Sequence, residues 1–403
     1  MNNYFIGAWI APPPQAVDQA NNPDFMTKEH YNNIKESGID IIYGLYENAE
    51  SDISLIQKAL DLSSGAGIGY LVRDSRIIKA TSEAELLSYL ESYIHHEACR
   101  GVLVIDEPGL IHFENLKELQ EIFYRHYSDK IFYTNLLPLH ANDNQFYNGA
   151  FGGPLDGGKI GYQRYYQQYL EEVKPKFLSY DLYPFEQAYP FIRTDYFKQH
   201  SLIKNLCVKE NIPYYNFIQT CSFNHHVRIP TQQEIRFQVF TSLAYGTTGF
   251  QYFTYFIPLE NTHEIFKGSM IDAQGNKNDQ YYYVQHVNKK LKKLFDILKD
   301  YRYIGIDFDE SQKQYESIDK TPVLSAKYAL DKDLLIGVYE NDSAYCLLIV
   351  NTNLTLESKR FELNLKHLPN LEVLRENGFI KEKRHIKHNI LSGDAALIKI
   401  NKE

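Results

Sequence analysis

Val102-Leu-Val-Ile-Asp-Glu-Pro108 runs from an unbroken apolar stretch into two adjacent carboxylates, Asp106 and Glu107, and stops at a proline. Such a run reads as a strand covered on both faces, so the two acids sit at its carboxyl end. In parallel α/β architecture, that end is where active sites are built. A second stretch, Phe177-Leu-Ser-Tyr-Asp-Leu-Tyr-Pro-Phe185, repeats the design with Asp181, then aromatics, then Pro184. Acids delivered on two strand ends are the raw material of general acid/base or nucleophilic chemistry.

Outward from this stretch, apolar strands alternate with amphipathic helices eight times. The strands read as Tyr4–Ile10, Ile39–Tyr46, Ile68–Arg73, Gly101–Ile105, Lys130–Asn135, Phe177–Tyr180, Tyr214–Gln219 and Gly249–Phe253. Between them lie helical patterns at Lys28–Glu36, Ser51–Leu62, Ser82–His96, Phe113–His126, Tyr162–Val173, Asp195–Lys209 and Gln232–Tyr245, and a longer one follows at Asn278–Tyr301. Thr231-Gln-Gln-Glu234 after Pro230 is a capping box, which fixes the start of the seventh helix. Eight alternations over about 300 residues predict a (β/α)8 TIM barrel, placed at residues 1–303. From Ile304 the pattern changes to short, partly alternating segments such as Ser343–Val350, Arg360–Leu365 and Ala395–Ile400, separated by turn clusters. Residues 304–403 are therefore expected to form a small antiparallel, β-sandwich-like domain docked on the barrel.

The net charge is −9 and no long Lys/Arg block occurs, which argues against a nucleic-acid partner. No apolar run reaches the roughly 18 to 20 residues that span a bilayer. Met1-Asn-Asn-Tyr4 enters directly into a strand without a basic and then apolar leader, so a cytoplasmic protein is expected, although a chain trimmed of its leader would look the same. The four cysteines are scattered without metal-binding spacing and read as reduced, buried small hydrophobes. With 33 residues against a single tryptophan, tyrosine is the outlier, suited either to interior packing or to a sugar-like ligand.

The predicted strand ends can be read as one rim. They supply Tyr46-Glu47, Arg73-Asp74, Asp106-Glu107, Thr134-Asn135, Asp181 with Tyr183, Gln219-Thr220, and Gln251-Tyr252 with Tyr255. Gly-rich phosphate loops and metal-ligand sets are absent, so no cofactor or metal is expected. Polyhydroxyl ligands need this mixture, because carboxylates and amides satisfy hydroxyls while aromatics cover the C–H faces of sugar rings. Cleaving a glycosidic bond takes one proton donor and one carboxylate acting as nucleophile or as base.

These motifs resemble the (β/α)8 glycoside hydrolases of the large clan-A type. In those enzymes the fourth strand ends in Asn-Glu, often followed by Pro, and the Glu is the acid/base. The matching positions here are Asp106, Glu107 and Pro108. Tyr133-Thr-Asn-Leu-Leu-Pro138, Tyr180–Pro184, Arg228–Thr231, Leu243–Gly249 and Tyr252–Tyr255 are also similar to segments of bacterial members with a carboxyl-terminal β-domain. The resemblance implies an oligosaccharide or glycoside as substrate. It also implies a nucleophilic Glu ending the seventh strand, where this chain carries Gln219, an amide that cannot serve. Asp181 is the best replacement, an arrangement similar to retaining α-glycosidases with carboxylates on the fourth and sixth strands, in which Asp106 or Glu107 could be the nucleophile and Asp181 the acid/base. The alternative is a degenerate barrel that binds carbohydrate without cleaving it.

The expected catalytic pair is Glu107 and Asp181. The expected substrate contacts are Trp9, Glu47, Asp106, Asn135, Tyr183, Gln219, His225, Gln251 and Tyr252. Each has a bland counterpart. Glu107 could cap the following helix, and Asp181 could close an Asx-turn. Asp106, one residue from Glu107 on a pleated strand, should point the opposite way, toward a neighbouring strand or a backbone amide. Glu47 could be a solvated loop acid.

Overall fold

The computed structural model describes residues 4–15, 23–153, 158–187, 192–193, 195–224, 226–259, 264–307, 333–355, 358–364, 371–375, 378–382 and 385–402. Eight parallel strands close a barrel: β1 (Phe5–Trp9), β2 (Ile41–Tyr43), β3 (Gly69–Arg73), β4 (Cys99–Asp106), β5 (Ile131–Leu136), β6 (Leu178–Tyr180), β7 (Tyr214–Gln219) and, after a short β8 (Cys221–Phe223), β9 (Gly249–Phe253). Their near-continuous burial is what a sheet covered by helices requires. The helices are α1 (Lys28–Glu36), α2 (Ile53–Ala66), α3 (Glu83–Leu90), α4 (Phe113–His126), α5 (Asp143–Asn148), α6 (Gly161–Glu172), α7 (Tyr196–Glu210), α8 (Gln232–Ala244) and α9 (Asp279–Leu298).

The start of α8 is the capping box that Thr231 and Glu234 predict, and Arg228 adds an ion pair to Glu234. Three elements left no clear mark in the sequence: α5, β8, and the strand β10 (Phe266–Gly268) that pairs antiparallel with β8. The third helix is also shorter than its pattern suggests, ending at Leu90 and leaving His95 and His96 beyond it.

The chain enters an antiparallel sheet at β11 (Arg302–Asp307). It continues through β12 (Leu334–Glu340), β13 (Ala344–Asn351), β14 (Ser358–Asn364), β15 (Leu371–Arg375), β16 (Gly378–Glu382), β17 (His385–Leu391) and β18 (Ala395–Asn401). The order is β11-β12-β13-β18-β15-β16, with β14 paired to β17. This sheet packs on α8 and α9. Tyr339 donates to the Leu243 carbonyl, Arg236 to the Ser392 carbonyl at 3.0 Å, and Lys290 pairs with Asp394 at 2.7 Å.

Tyrosine fills the interior. The largest fully buried side chains are all tyrosines, and many spend their hydroxyl on a specific partner. Two from α6 matter for the site: Tyr165 donates to the Pro108 carbonyl and Tyr166 to the Leu137 carbonyl, each at 2.6 Å. One helix thereby ties down the loops that leave β4 and β5. The packing use of tyrosine suits a chain with ample apolar volume and one tryptophan, since a phenol fills space and can still hydrogen-bond through its hydroxyl.

Candidate active site

Strand β4 carries an irregularity that decides what faces the barrel axis. Leu103 pairs with Tyr133, but Ile105 pairs with Thr134 and Asp106 with Asn135, so one extra residue is accommodated between Leu103 and Ile105. Paired positions in a parallel sheet share a face. Asn135 faces inward, because its amide donates to Asp181 at 3.1 Å and its carbonyl accepts from Ser179 at 3.0 Å. The bulge therefore brings Asp106 onto the inner face, where regular alternation from Leu103 would have put Ile105.

Glu107 leaves the strand with φ at +49°, a left-handed conformation uncommon outside glycine. Its backbone is pinned on both sides: the amide donates to the Asn135 carbonyl at 2.8 Å and the carbonyl accepts from Ala150 at 3.0 Å. Next along, Gly109 touches the end of α5 so closely that a Cβ would lie 2.3 Å from the Gly149 nitrogen and the Tyr147 oxygen. Asp106 meets Asn135 of the neighbouring strand, as its place on a pleated strand leads one to expect. Bulge and left-handed turn together place both within electrostatic reach of one another and of Asp181.

Burial raises all three acids, and neighbouring carboxylates add to the shift at Glu107 and Asp181. Burial pushes Glu107 well above the carboxylate range, and the charges of Asp181, Asp106 and Glu264 add to it. Burial and then the Asp106 charge raise Asp181 to about 7, against the Asn135 hydrogen bond that opposes the shift. Burial raises Asp106 to about 6, while Asn135 and the nearby Arg73 guanidinium hold it back. Protein encloses Asp106 closely enough for this, yet its side chain is exposed to solvent. Asp181 is more enclosed, at 6% exposure.

Beneath the acids lies a polar layer that spans the barrel. Gln251 accepts from Tyr43 at 2.7 Å and from Tyr133 at 2.6 Å, and donates to Ser179 at 2.9 Å, which in turn donates to Asn135. Gly7 makes room for it, since a Cβ there would sit 2.7 Å from the Tyr43 hydroxyl. Trp9 packs in the same interior against Tyr43, Phe217 and Tyr133, with ring centroids 5.8, 5.7 and 6.4 Å away. Tyr183 is half-buried near the acids, tilted on Phe253 at 5.1 Å and edge-on to Phe223 of β8 at 5.4 Å.

The remaining expected contacts stand elsewhere. Tyr252 points outward and donates to Asn288 of α9 at 2.6 Å. Gln219 is fully buried. Its amide donates to the Arg228 carbonyl at 2.5 Å and its oxygen accepts from the Phe185 amide at 3.2 Å, so it joins two loops. Glu47 is fully buried, accepts from Tyr70, and is raised to about 8 by burial. It is thus an interior acid rather than a solvated one. Asp74 is held by Arg76 at 2.8 Å and Tyr93 at 2.9 Å. His225 lies outside the described residues. Cys221 is buried, its thiol pushed up to about 12. Among the described residues, no three His, Cys, Asp or Glu side chains are placed to hold a metal.

Sequence reading passed over Ser179 and Glu264. The first could have been found, because residues 179 and 181 share a face on either side of the outward Tyr180, whose hydroxyl lies 2.8 Å from His200 of α7. Glu264 arrives from a distant loop and carried no signal.

No family model and no curated protein matches the sequence. Solved structures do match. A glycoside hydrolase aligns at 10% identity over 99% of this chain and 93% of its own, with a TM-score of 0.57. A glycoside hydrolase family 5 protein from Bacteroides vulgatus aligns at 11% identity over 98% and 89%, also at 0.57. An Anoxybacillus α-amylase aligns at 10% over 100% and 98%, at 0.54. At such identities the likeness is one of architecture. The chain thus shares the (β/α)8 barrel, with its appended β-sheet domain, that recurs among these glycoside hydrolases.

Proposed function

We propose that this protein is a glycoside hydrolase in which Glu107 donates the proton to the leaving oxygen and Asp181 is the partner carboxylate. The observation that carries the reading is the convergence of Asp106, Glu107 and Asp181 at the carboxyl ends of β4 and β6. A proton donor must keep its proton near neutral pH and a nucleophile or base must lose it. Glu107, raised by burial and by three neighbouring acids, suits the first task. Asp181, held by the Asn135 amide, suits the second. Asp106, Asn135 and the half-buried Tyr183 would then meet the hydroxyls and one face of the sugar.

One observation favours a second assignment of the partner. Asp106 is the more exposed of the two aspartates and lies near Arg73, so it could be the carboxylate that reaches the anomeric carbon or its water. Turnover of a panel of aryl glycosides by Glu107→Gln, Asp106→Asn and Asp181→Asn separates the possibilities. Glu107→Gln is expected to lose at least 100-fold, and whichever aspartate variant loses comparably is the partner. Undiminished hydrolysis by Glu107→Gln removes it from the mechanism. Inactivity of the unmodified protein on every glycoside, with sugar binding retained, supports instead the binding-only reading that Gln219 motivates.

A further inference from the structure

We infer that a cavity between the β8/β10 hairpin and the start of α9 binds a small organic anion, a carboxylate or phosphate head on an apolar body. It is a site apart from the three acids and does not depend on the roles proposed for Glu107 and Asp181.

The cavity has a volume of about 640 Å3, the size of a small-molecule site. One wall is apolar, made by Ile229, Ile257 and Phe266. Ile229 keeps 39% of its surface exposed, and a Cβ on Gly268 would lie only 3.3 Å from its side chain. Phe266 meets Phe223 and Phe253 at 6.3 and 6.4 Å, the same two rings that hold Tyr183. A layer of aromatic rings therefore stands between this wall and Tyr183.

The polar end is the start of α9, and it is left open. Asn278 occupies the N-cap position without capping the helix, because its amide donates to the Gly268 and Ser269 carbonyls, each at 3.1 Å. The backbone amides of Asp279 and Gln280, the first two of a 20-residue helix, meet no acceptor among the described residues, and both residues line the cavity. Open amides at a helix start favour an anion. A second observation points to a ligand. The Gln280 side chain is buried, at 8% exposure, and its amide has no hydrogen-bond partner among the described residues. A buried amide without a partner calls for one, and the cavity it lines is where that partner fits.

The charges around the cavity set the sign. Lys267 is exposed on the lining and makes no ion pair among the described residues. Lys277 is shared with Glu36 at 3.4 Å and lies over the Tyr281 ring. Asp272 is spent within its own turn, accepting from the Gln274 and Asn276 amides at 2.9 and 2.8 Å. Asp279 is exposed and is the one lining carboxylate left to oppose an anion.

The test uses the full chain with labelled isoleucine methyl groups, so that Ile229 and Ile257 report on the cavity by NMR. Benzoate and phenyl phosphate are expected to shift both methyls saturably, and the tighter of the two identifies the head group. Inorganic phosphate, which lacks the apolar body, and benzyl alcohol, which lacks the charge, should each bind at least about 5-fold more weakly. Gln280→Glu places a negative charge at a helix start, where the fold favours it, and should weaken benzoate about 10-fold, whereas Asp279→Asn should tighten it about 3-fold. Methyl shifts elsewhere in the chain report that each variant is folded. No saturation by any probe at about 10 mM, or equal affinity for benzoate and benzyl alcohol, overturns the inference. So does benzoate affinity unchanged by Gln280→Glu, which would place the binding elsewhere.

Discussion

Asn135 donates its side-chain amide to Asp181 across 3.1 Å and shares its register position on the barrel wall with Asp106. It therefore stands between two carboxylates that repel one another. The hydrogen bond favours the charged form of Asp181 and so lowers a pKa that burial and Asp106 raise. If ionised Asp181 is needed for turnover, activity climbs as pH rises through about 7. It falls again at the higher pH where Glu107 gives up its proton. Removing the amide raises Asp181 further. Asn135→Ala is thus expected to move the rising limb of the kcat/KM profile toward alkaline pH, on the order of one unit. An unmoved limb would detach Asn135 from the titrating group.

The need for an acid depends on how poor the leaving group is. Glu107→Gln should lose most on glycosides with high-pKa leaving groups and least on those with acidic phenols, because the latter depart without a proton. A plot of log kcat/KM against leaving-group pKa is expected to steepen in the variant. Parallel lines for the two proteins would mean that Glu107 does not protonate the leaving oxygen.

Gly109 offers a test of how Glu107 is held. A Cβ at this position would press on backbone atoms of Tyr147 and Gly149 only 2.3 Å away, and neither can swing aside as a side chain could. Gly109→Ala should push the β4 loop from the end of α5 and disturb the Ala150-to-Glu107 hydrogen bond. The expected result is a loss of roughly 1 to 3 kcal/mol in urea unfolding and at least a tenfold drop in kcat/KM. Preserved activity with the stability cost would show that the clasp serves the fold alone.

Glu47 sets a pH dependence of stability apart from catalysis. Its folded pKa of about 8 lies above its ordinary value of 4.5, because burial disfavours the charge. From about pH 4.5 upward the unfolded chain gives up this proton while the native protein keeps it, so stability falls as pH rises, until the native carboxyl ionises near 8. The full loss is on the order of 3 to 5 kcal/mol. Glu47→Gln retains an acceptor for Tyr70 and has no charge to bury. Its unfolding free energy should decline less between pH 5 and 8 than that of the unmodified chain; identical slopes would contradict the assignment.

Hydrophobic periodicity is a local property, and the chain's order of elements could be read from it. The eight barrel strands, the helix start at Thr231, and the change of texture beyond Ile304 were all legible, as was the arrival of Asp106, Glu107 and Asp181 at strand ends. Aim and partnership were not. A one-residue bulge in β4 turned Asp106 inward, and Glu107 leaves the strand through a left-handed turn. Tyr252 was assigned to the rim by its place near a strand end, but alternation put it among the helices, while Gln251 became part of the buried layer beneath the acids. Side chains from five strands, β2, β4, β5, β6 and β9, form one hydrogen-bonded and electrostatic cluster. Each of these depends on contacts between residues far apart in the chain, whose energies enter only when the barrel closes. Composition and spacing therefore determined which chemical groups the protein brings to one end of its barrel, and closure alone decided which of them face a common space.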